Sequence, residues 1–265
     1  MPTIRKPLFV KPLDLGTIAT GNETAGYPAA NLNRHKAIGL TWKSTGNTNV
    51  WARGQFASSQ SIDFCSIISA NALAGTQFRL RLGTSQGEVD GTAPYDSGSL
   101  DFISPSITRS DGLYHSHLEL PSVETATWWR IDITGHTGDF QASNLVLGAK
   151  IEPSHFYNFD WEYGGEDLGS AEIGRWGVID EDPGIFLRTL DFTLAWQSEA
   201  AFEASFRPLI EAVGRTKLVY ICFDPEATIY RQARTYMGLF GKVPFARGVR
   251  KARTFTQDFQ MRSYI

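Results

Sequence analysis

Cysteine is almost missing from this chain: its 265 residues hold two, Cys65 and Cys222, each inside an apolar run and far from the other. That scarcity excludes a disulfide framework and a cysteine-based zinc site, and it predicts two reduced, buried thiols folded in a cytoplasmic compartment. Long apolar runs are missing as well. The longest, Leu218 to Phe223, has the length of a strand and falls far short of the roughly 20 residues of a membrane helix. Near the N-terminus, Pro7, Lys11 and Pro12 interrupt the apolar core that an export signal needs, so none is expected. Charged residues make up only 20% of the chain against 42% apolar, a balance that leaves enough apolar side chain for packed cores and excludes a disordered protein.

Catalytic signatures are equally scarce. The glycines of GGEDLGSAEIGRWG are not followed by the Lys-Ser/Thr pair of a phosphate loop, and no strand-glycine-helix order surrounds them. No serine sits in a Gly-x-Ser-x-Gly elbow, and neither cysteine has a local catalytic pattern. His115 and His117 stand two apart, a spacing that places both imidazoles on one strand face, but no third metal ligand is evident near them. An enzyme is therefore not expected, and neither is a cofactor or a metal.

What is present is β-pattern. Residues 1 to about 150 place Gly, Ser, Thr and Asn between short period-two runs, which predicts an antiparallel sandwich with strands at Ile62–Ser69, Gln77–Leu82, His115–Leu120, Thr127–Ile133 and Asn144–Ile151. In the fourth of these strands, Trp129, Ile131 and Ile133 face one way and Trp128, Arg130 and Asp132 the other. In DFCSIISANALAGTQFRLRLG, Phe78, Leu80 and Leu82 supply an inward face while Arg79 and Arg81 point outward. After Pro153 the chain changes character. A turn-rich acidic stretch precedes a strand at Phe186–Trp196. Ser198 then caps a helix with an apolar stripe of Phe202, Phe206, Leu209, Ile210 and Val213, which Gly214 ends and Pro208 kinks or divides. Strands at Lys217–Phe223, Ile229–Leu239 and Phe255–Ile265 complete an α+β unit. Two domains are expected, residues 1–152 and residues 153–265.

The succession YPAANL at 27–32, TWKS at 41–44, IDFCSIISANALAGTQFRLRLG at 62–83, ATWWRIDI at 126–133 and NLVLGAKIEP at 144–153 resembles the galactose-binding-like jelly roll of structural proteins in tailed-phage virions. The second half is similar to tail-tube and distal-tail folds. The resemblance implies a mainly β protein, an N-terminal galactose-binding-like β-sandwich followed by a tail-protein-like β-sandwich with one flanking helix. It implies a structural component of a phage tail tip or baseplate, located in the virion tail after folding in the host cytoplasm. Its partners would be copies of itself in a sixfold or threefold ring, other tail proteins and fibres. An alternative is a carbohydrate-binding module that recognises a host surface glycan, for which Trp42, Trp51 and Trp128 are the candidate sugar contacts.

Charge is divided unevenly. Residues 151–200 hold eleven acids against two basic residues, and residues 226–265 hold eight basic residues against two acids, although the net charge is only −3. Asp160, Glu162, Glu166, Asp167, Asp180, Glu181 and Asp182 mark the acidic side; Arg247, Arg250, Lys251 and Arg253 mark the basic side. The two stretches either neutralise each other within one subunit or meet head to tail between subunits, a heterologous contact that closes into a ring when the rotation permits. The basic stretch carries no nucleic-acid reading motif, so nucleic acid is not an expected partner.

Overall fold

The structure, a computed structural model, describes residues 5–37, 39–248 and 252–265. It is mainly β, as the alternation indicates, and its long strand pairs are antiparallel. The chain divides into two compact units. The first comprises Val10–Lys150 with Glu226–Arg234; the second comprises Met1–Phe9, Ile151–Pro225 and Thr235–Ile265. Among the described residues, no helix is long and apolar enough to cross a membrane.

In the first unit the principal strands are β1 (Thr17–Thr20), β2 (Trp51–Ile68), β3 (Gln77–Gly83), β4 (Leu118–Thr134) and β5 (Asn144–Gly148), with a short helix α1 (Gln86–Asp90) after β3. They lie in the order β5-β2-β4-β3, and β1 pairs with β2. Two strands are far longer than their apolar runs suggest. β2 extends eleven residues upstream of Ile62, and β4 joins the two expected strands at His115–Leu120 and Thr127–Ile133 into one. Their ladder breaks register between Gln55 and Gln60 and between Ile62 and Phe64. Such breaks bend and twist a strand, so a long pair can wrap one core. That core contains Trp42, Phe78, Leu80, Leu82, Trp129, Ile131 and Phe140, all buried.

His115 precedes β4 rather than lying in it, because the chain there bridges from Tyr114 to Ala70. Its backbone N–H donates to the side chain of Gln232 (2.8 Å) and its carbonyl accepts from the same amide (2.6 Å). This bond accompanies the late start of the expected strand at Ile229–Leu239, which begins only at Thr235: Gln232 is buried within the first unit and the segment around it forms turns.

In the second unit, β6 (Glu162–Asp167), β7 (Ser170–Ile173), β8 (Ile179–Asp182) and β9 (Phe186–Ser198) precede a helix, α2 (199–213), and β10 (Val219–Cys222), β11 (Thr235–Phe240), β12 (Ala246–Gly248) and β13 (Thr254–Ser263) follow it. The main sheet runs β10-β11-β13-β9-β6, with β12 on β13; β7 and β8 form a separate hairpin. The acidic stretch is thus more regular than its turn content implies. Ser198 caps α2 by accepting from the Ala201 amide at 3.2 Å, and Gly214 ends the helix at a φ of 54°. Pro208 does not split it. The turn before the proline, Phe202–Phe206, widens to π geometry, which eases the ring against the preceding carbonyls. Phe206, Leu209 and Val213 bury the stripe against Phe192, Ile221 and Phe259. Phe192 and Phe259 stack with centroids 5.2 Å apart, so a single aromatic layer anchors the sheet.

Candidate functional site

The outward face of the first unit's sheet carries an unusual row. Cα register places Arg53 of β2 opposite Arg130 of β4, and Arg130 opposite Arg81 of β3. Like charges side by side across strands are destabilising, so such a row persists only with counter-charges. Two aspartates supply them. Asp90 from α1 pairs with both Arg53 and Arg130, and Asp132 accepts from Arg130 at 2.7 Å and from Arg81 at 2.7 Å. Arg79 pairs separately with Asp96. Burial alone pushes the Asp90 carboxyl up, but hydrogen bonds from Arg53 and Arg130 outweigh it and hold Asp90 below the ordinary carboxylate range. The guanidinium of Arg130 lies 4.5 Å from the centre of the Trp51 ring, and that of Arg53 lies 5.2 Å from it. Trp51 is therefore packed against two cations rather than presented as a bare stacking surface.

Where β2 begins and β4 ends, this layer opens into a groove of about 570 Å³ lined by Asn47, Asn49, Trp51, Arg130, Asp132, Thr134, His136 and Thr137. The loops that build it are fixed locally. Asn49 adopts a φ of 56°, which its side chain tolerates. Gly135 adopts a φ of 66°, and a Cβ there would overlap the Gly75 carbonyl oxygen. His136 sits within reach of Thr76 Oγ1 at 3.0 Å and of the Asp139 carbonyl, and burial holds its imidazole below the usual range. One cation, one carboxylate, two amides and two hydroxyls thus line a site whose own charge cancels.

The three tryptophans expected as sugar contacts separate. Trp42 is fully buried against Phe140, its indole N–H donating to the Asn22 carbonyl at 3.1 Å, so it cannot touch a ligand. Trp128 lies on the outward face beside Gln55 and Gly83 but does not line the groove. Only Trp51 does. Arg81, read as an outward wall residue, is in fact buried within the ion network.

The described residues that mark the acidic and basic sides lie in the second unit. Asp160 and Glu162, with Asp191, Asp258 and Lys242, line a groove of about 460 Å³. Glu166 pairs with Arg262 at 3.0 Å, and Asp167 accepts from the Gly169 amide at 2.8 Å. Asp180, Glu181 and Asp182 lie on β8. Arg247 pairs with Asp258 at 2.6 Å and Arg253 with Glu199 at 3.6 Å. These pairs show neutralisation within one subunit for part of each stretch. Arg250 and Lys251 lie outside the described residues.

His115 and His117 do not come together as ligands. His115 Nδ1 accepts from the Ser69 amide at 3.0 Å, and His117 Nε2 lies 3.2 Å from Glu119. Among the described residues, no group of three or more His, Cys, Asp or Glu side chains is arranged to hold a metal. Cys65 and Cys222 are buried and form no disulfide, and burial pushes the Cys65 thiol far up.

No protein-family model matches the chain, and no curated protein matches it. Among solved structures, chitosan-binding module 1 of a chitosanase/glucanase from Paenibacillus sp. IK-5 is 16% identical, covering 52% of this chain and 96% of its own, with a TM-score of 0.38. A fucose-binding module from Streptococcus pneumoniae is 7% identical, covering 52% and 95%, with a TM-score of 0.38. XRCC1 bound to the DNA polymerase β catalytic domain is 13% identical, covering 52% and 99%, with a TM-score of 0.40. Likenesses this distant assign neither a ligand nor a residue role to this chain.

Proposed function

We propose that the first unit is a carbohydrate-binding module that takes a neutral sugar in the groove at Trp51 and Arg130. The observation that carries the proposal is the side-by-side placement of Arg130 and Asp132 in an open, polar groove of about 570 Å³. Sugar rings present neighbouring hydroxyls that both donate and accept. A guanidinium offers donors in a fixed fork, a carboxylate offers acceptors only, and Asn47 and Asn49 offer both. The two charged side chains that line the groove itself, Arg130 and Asp132, cancel each other. Its size lies within the roughly 300–1,000 Å³ of small-ligand sites. The proposal assigns binding to the groove and no turnover.

Thr137 lines the groove and is exposed, so Thr137→Trp should fill it without removing a packed side chain. Glycan-array screening followed by calorimetric titration should find a neutral oligosaccharide that wild-type protein binds and Thr137→Trp does not. Silence across the array, or a glycan bound equally by both proteins, refutes the proposal.

A second reading is a structural component of a bacteriophage tail tip or baseplate that assembles into a ring and contacts neighbouring tail proteins. What supports it is the five-segment resemblance together with the division of charge between residues 151–200 and 226–265.

A further inference from the structure

Two parts of the groove wall, Trp51 and the loop that carries Asn47 and Asn49, rest on a short segment that does not itself line the groove. That segment is Gly21–Asn22, which follows β1. Asn22 commits its side chain to the loop: Oδ1 accepts from the Thr45 amide at 3.0 Å, and Nδ2 donates to the Thr45 carbonyl at 2.7 Å and to the Thr48 carbonyl at 2.9 Å. Both donors of the amide are used. From the other flank, Asp139 accepts from the Gly46 amide at 2.7 Å and pairs with Lys43 at 3.2 Å, while Asn47 Nδ2 donates to the His136 carbonyl at 3.3 Å. The loop is thus tied on two sides.

Gly21 supports Trp51 by having no side chain. Its amide donates to the Trp51 carbonyl at 3.2 Å, and a Cβ at this position would overlap both the Trp51 indole nitrogen and the Asn49 carbonyl oxygen. Any other residue would displace the indole or the loop. The segment is in turn anchored to the core, because the Asn22 carbonyl accepts from the indole N–H of buried Trp42 at 3.1 Å and from the Thr20 hydroxyl at 3.0 Å. Trp42 touches no ligand, yet it reaches the groove through Asn22.

We infer that Gly21 and Asn22 are the positioning residues of this groove: they set the separation between the asparagine amides of the loop and the Trp51–Arg130 pair, and with it the spacing of sugar hydroxyls that the groove accepts. The inference rests on the reading of the groove as a sugar site. Epimers differ only in where one hydroxyl points, so a site tells them apart only if its own donors and acceptors are held to within roughly 0.5 Å. Asn22 supplies that constraint to the loop, and Gly21 supplies it to the indole. Neither contributes a contact of its own to the ligand, so their substitution alters selectivity without removing a recognising group.

The test uses the full chain in two ways: against a printed array of neutral mono- and oligosaccharides, and without any glycan, by NMR. Asn22→Asp keeps the size of the side chain but turns a carboxylate oxygen toward the Thr45 and Thr48 carbonyls, and Gly21→Ala adds one methyl group. Each should weaken the strongest glycan signal at least about tenfold and shrink the preference for that glycan over its epimers. In the glycan-free protein, Asn22→Asp should speed hydrogen exchange at the Thr45 and Gly46 amides, and Gly21→Ala should move the Trp51 indole N–H resonance. Ile67→Val is the control. It loosens packing in the core at the far end of β2, so it lowers the unfolding midpoint but should leave selectivity and loop exchange unchanged. Wild-type strength and selectivity in both Gly21→Ala and Asn22→Asp overturn the inference, as does an equal loss of selectivity in Ile67→Val. If wild-type protein is silent on the array, the sugar reading fails and the glycan-free measurements decide this one: faster loop exchange with a moved indole resonance sustains it, and wild-type exchange with an unmoved resonance overturns it.

Discussion

Asp132→Ala should be among the most destabilising single changes on the surface of this protein, and the arginine row says why. Asp132 Oδ2 accepts from Arg81 Nη2 at 2.7 Å and Nε at 3.3 Å, while Oδ1 accepts from Arg130 Nη2 at 2.7 Å and Nε at 3.0 Å. Without the carboxylate, Arg81 keeps only a 3.5 Å bond to the Gly91 carbonyl among its described partners, with a side chain just 7% exposed. Breaking a buried ion pair by removing one partner costs roughly 3–5 kcal/mol, because the remaining charge is stranded. Asp132 is itself 18% exposed, and water reaching the site holds the cost to the low end, about 3 kcal/mol. For a unit of this size each kcal/mol moves the midpoint by roughly 2–4 °C, so a fall of about 6–12 °C is expected.

Urea unfolding followed by tryptophan fluorescence is the appropriate assay, since Trp51 stacks on Arg130. Arg79→Ala provides the contrast. Its pair with Asp96 is the exposed one of the set, and solvent screening leaves it well under 1 kcal/mol. Adding Arg81→Met to Asp132→Ala should recover most of the loss, because the stranded cation is gone and apolar packing replaces it. If Asp132→Ala costs no more than Arg79→Ala, the row is not held by its aspartates. If the double variant is as unstable as the single one, the cost comes from packing rather than from a stranded charge.

Two further outcomes follow from the loops and the buried imidazoles. Gly135→Ala should cost about 3 kcal/mol by urea unfolding, since the position combines a left-handed backbone with overlap on the Gly75 carbonyl; Gly138→Ala, also left-handed at a φ of 84° but facing open space, should cost only about 1 kcal/mol, and equal losses would refute the steric account. Burial lowers the imidazole of His35 and that of His136, so below about pH 6.5 the unfolded chain takes up protons that the folded chain resists. Stability is then fully present above that pH and is lost as pH falls through the lowered folded-state values. His35→Gln should flatten the decline of the unfolding midpoint between about pH 7 and pH 5, and an unaltered slope would rule His35 out as a contributor.

The alternation of Phe78, Leu80 and Leu82 and of Trp129, Ile131 and Ile133 made the inner face of the first unit legible from the sequence, and both sets are buried as expected. The upstream half of β2 was not legible. From Gln55 to Ser61 it is mostly exposed, so the apolar signal that marks a strand is missing, and the ladder to β4 is interrupted between Gln55 and Gln60 before it resumes in a shifted register. The groove was hidden for a different reason. Arg53, Arg81 and Arg130 are far apart in the chain, and only register brings them into one row. No local pattern distinguishes an outward arginine that ends in water from one that ends in such a row. Trp42 shows the converse: an indole in a loop-rich segment looks like a ligand contact until the core claims it.

The same ion network that stabilises the outward face also decides how the groove can bind. Arg130 has five N–H donors, and the bonds to Asp132 and Asp90 occupy three of them. The side chain is therefore fixed before any ligand arrives, stacked on Trp51 with donors to spare, and little rotamer entropy remains to be lost on binding. A flexible arginine on an open loop would surrender up to about 2 kcal/mol of that entropy to bind one sugar. Preorganisation also explains why substitutions at Arg130 or Asp132 are poor tests of recognition: they dismantle the sheet face along with the site. Filling the groove from Thr137 leaves the network untouched, so a loss of binding there reports on the groove itself.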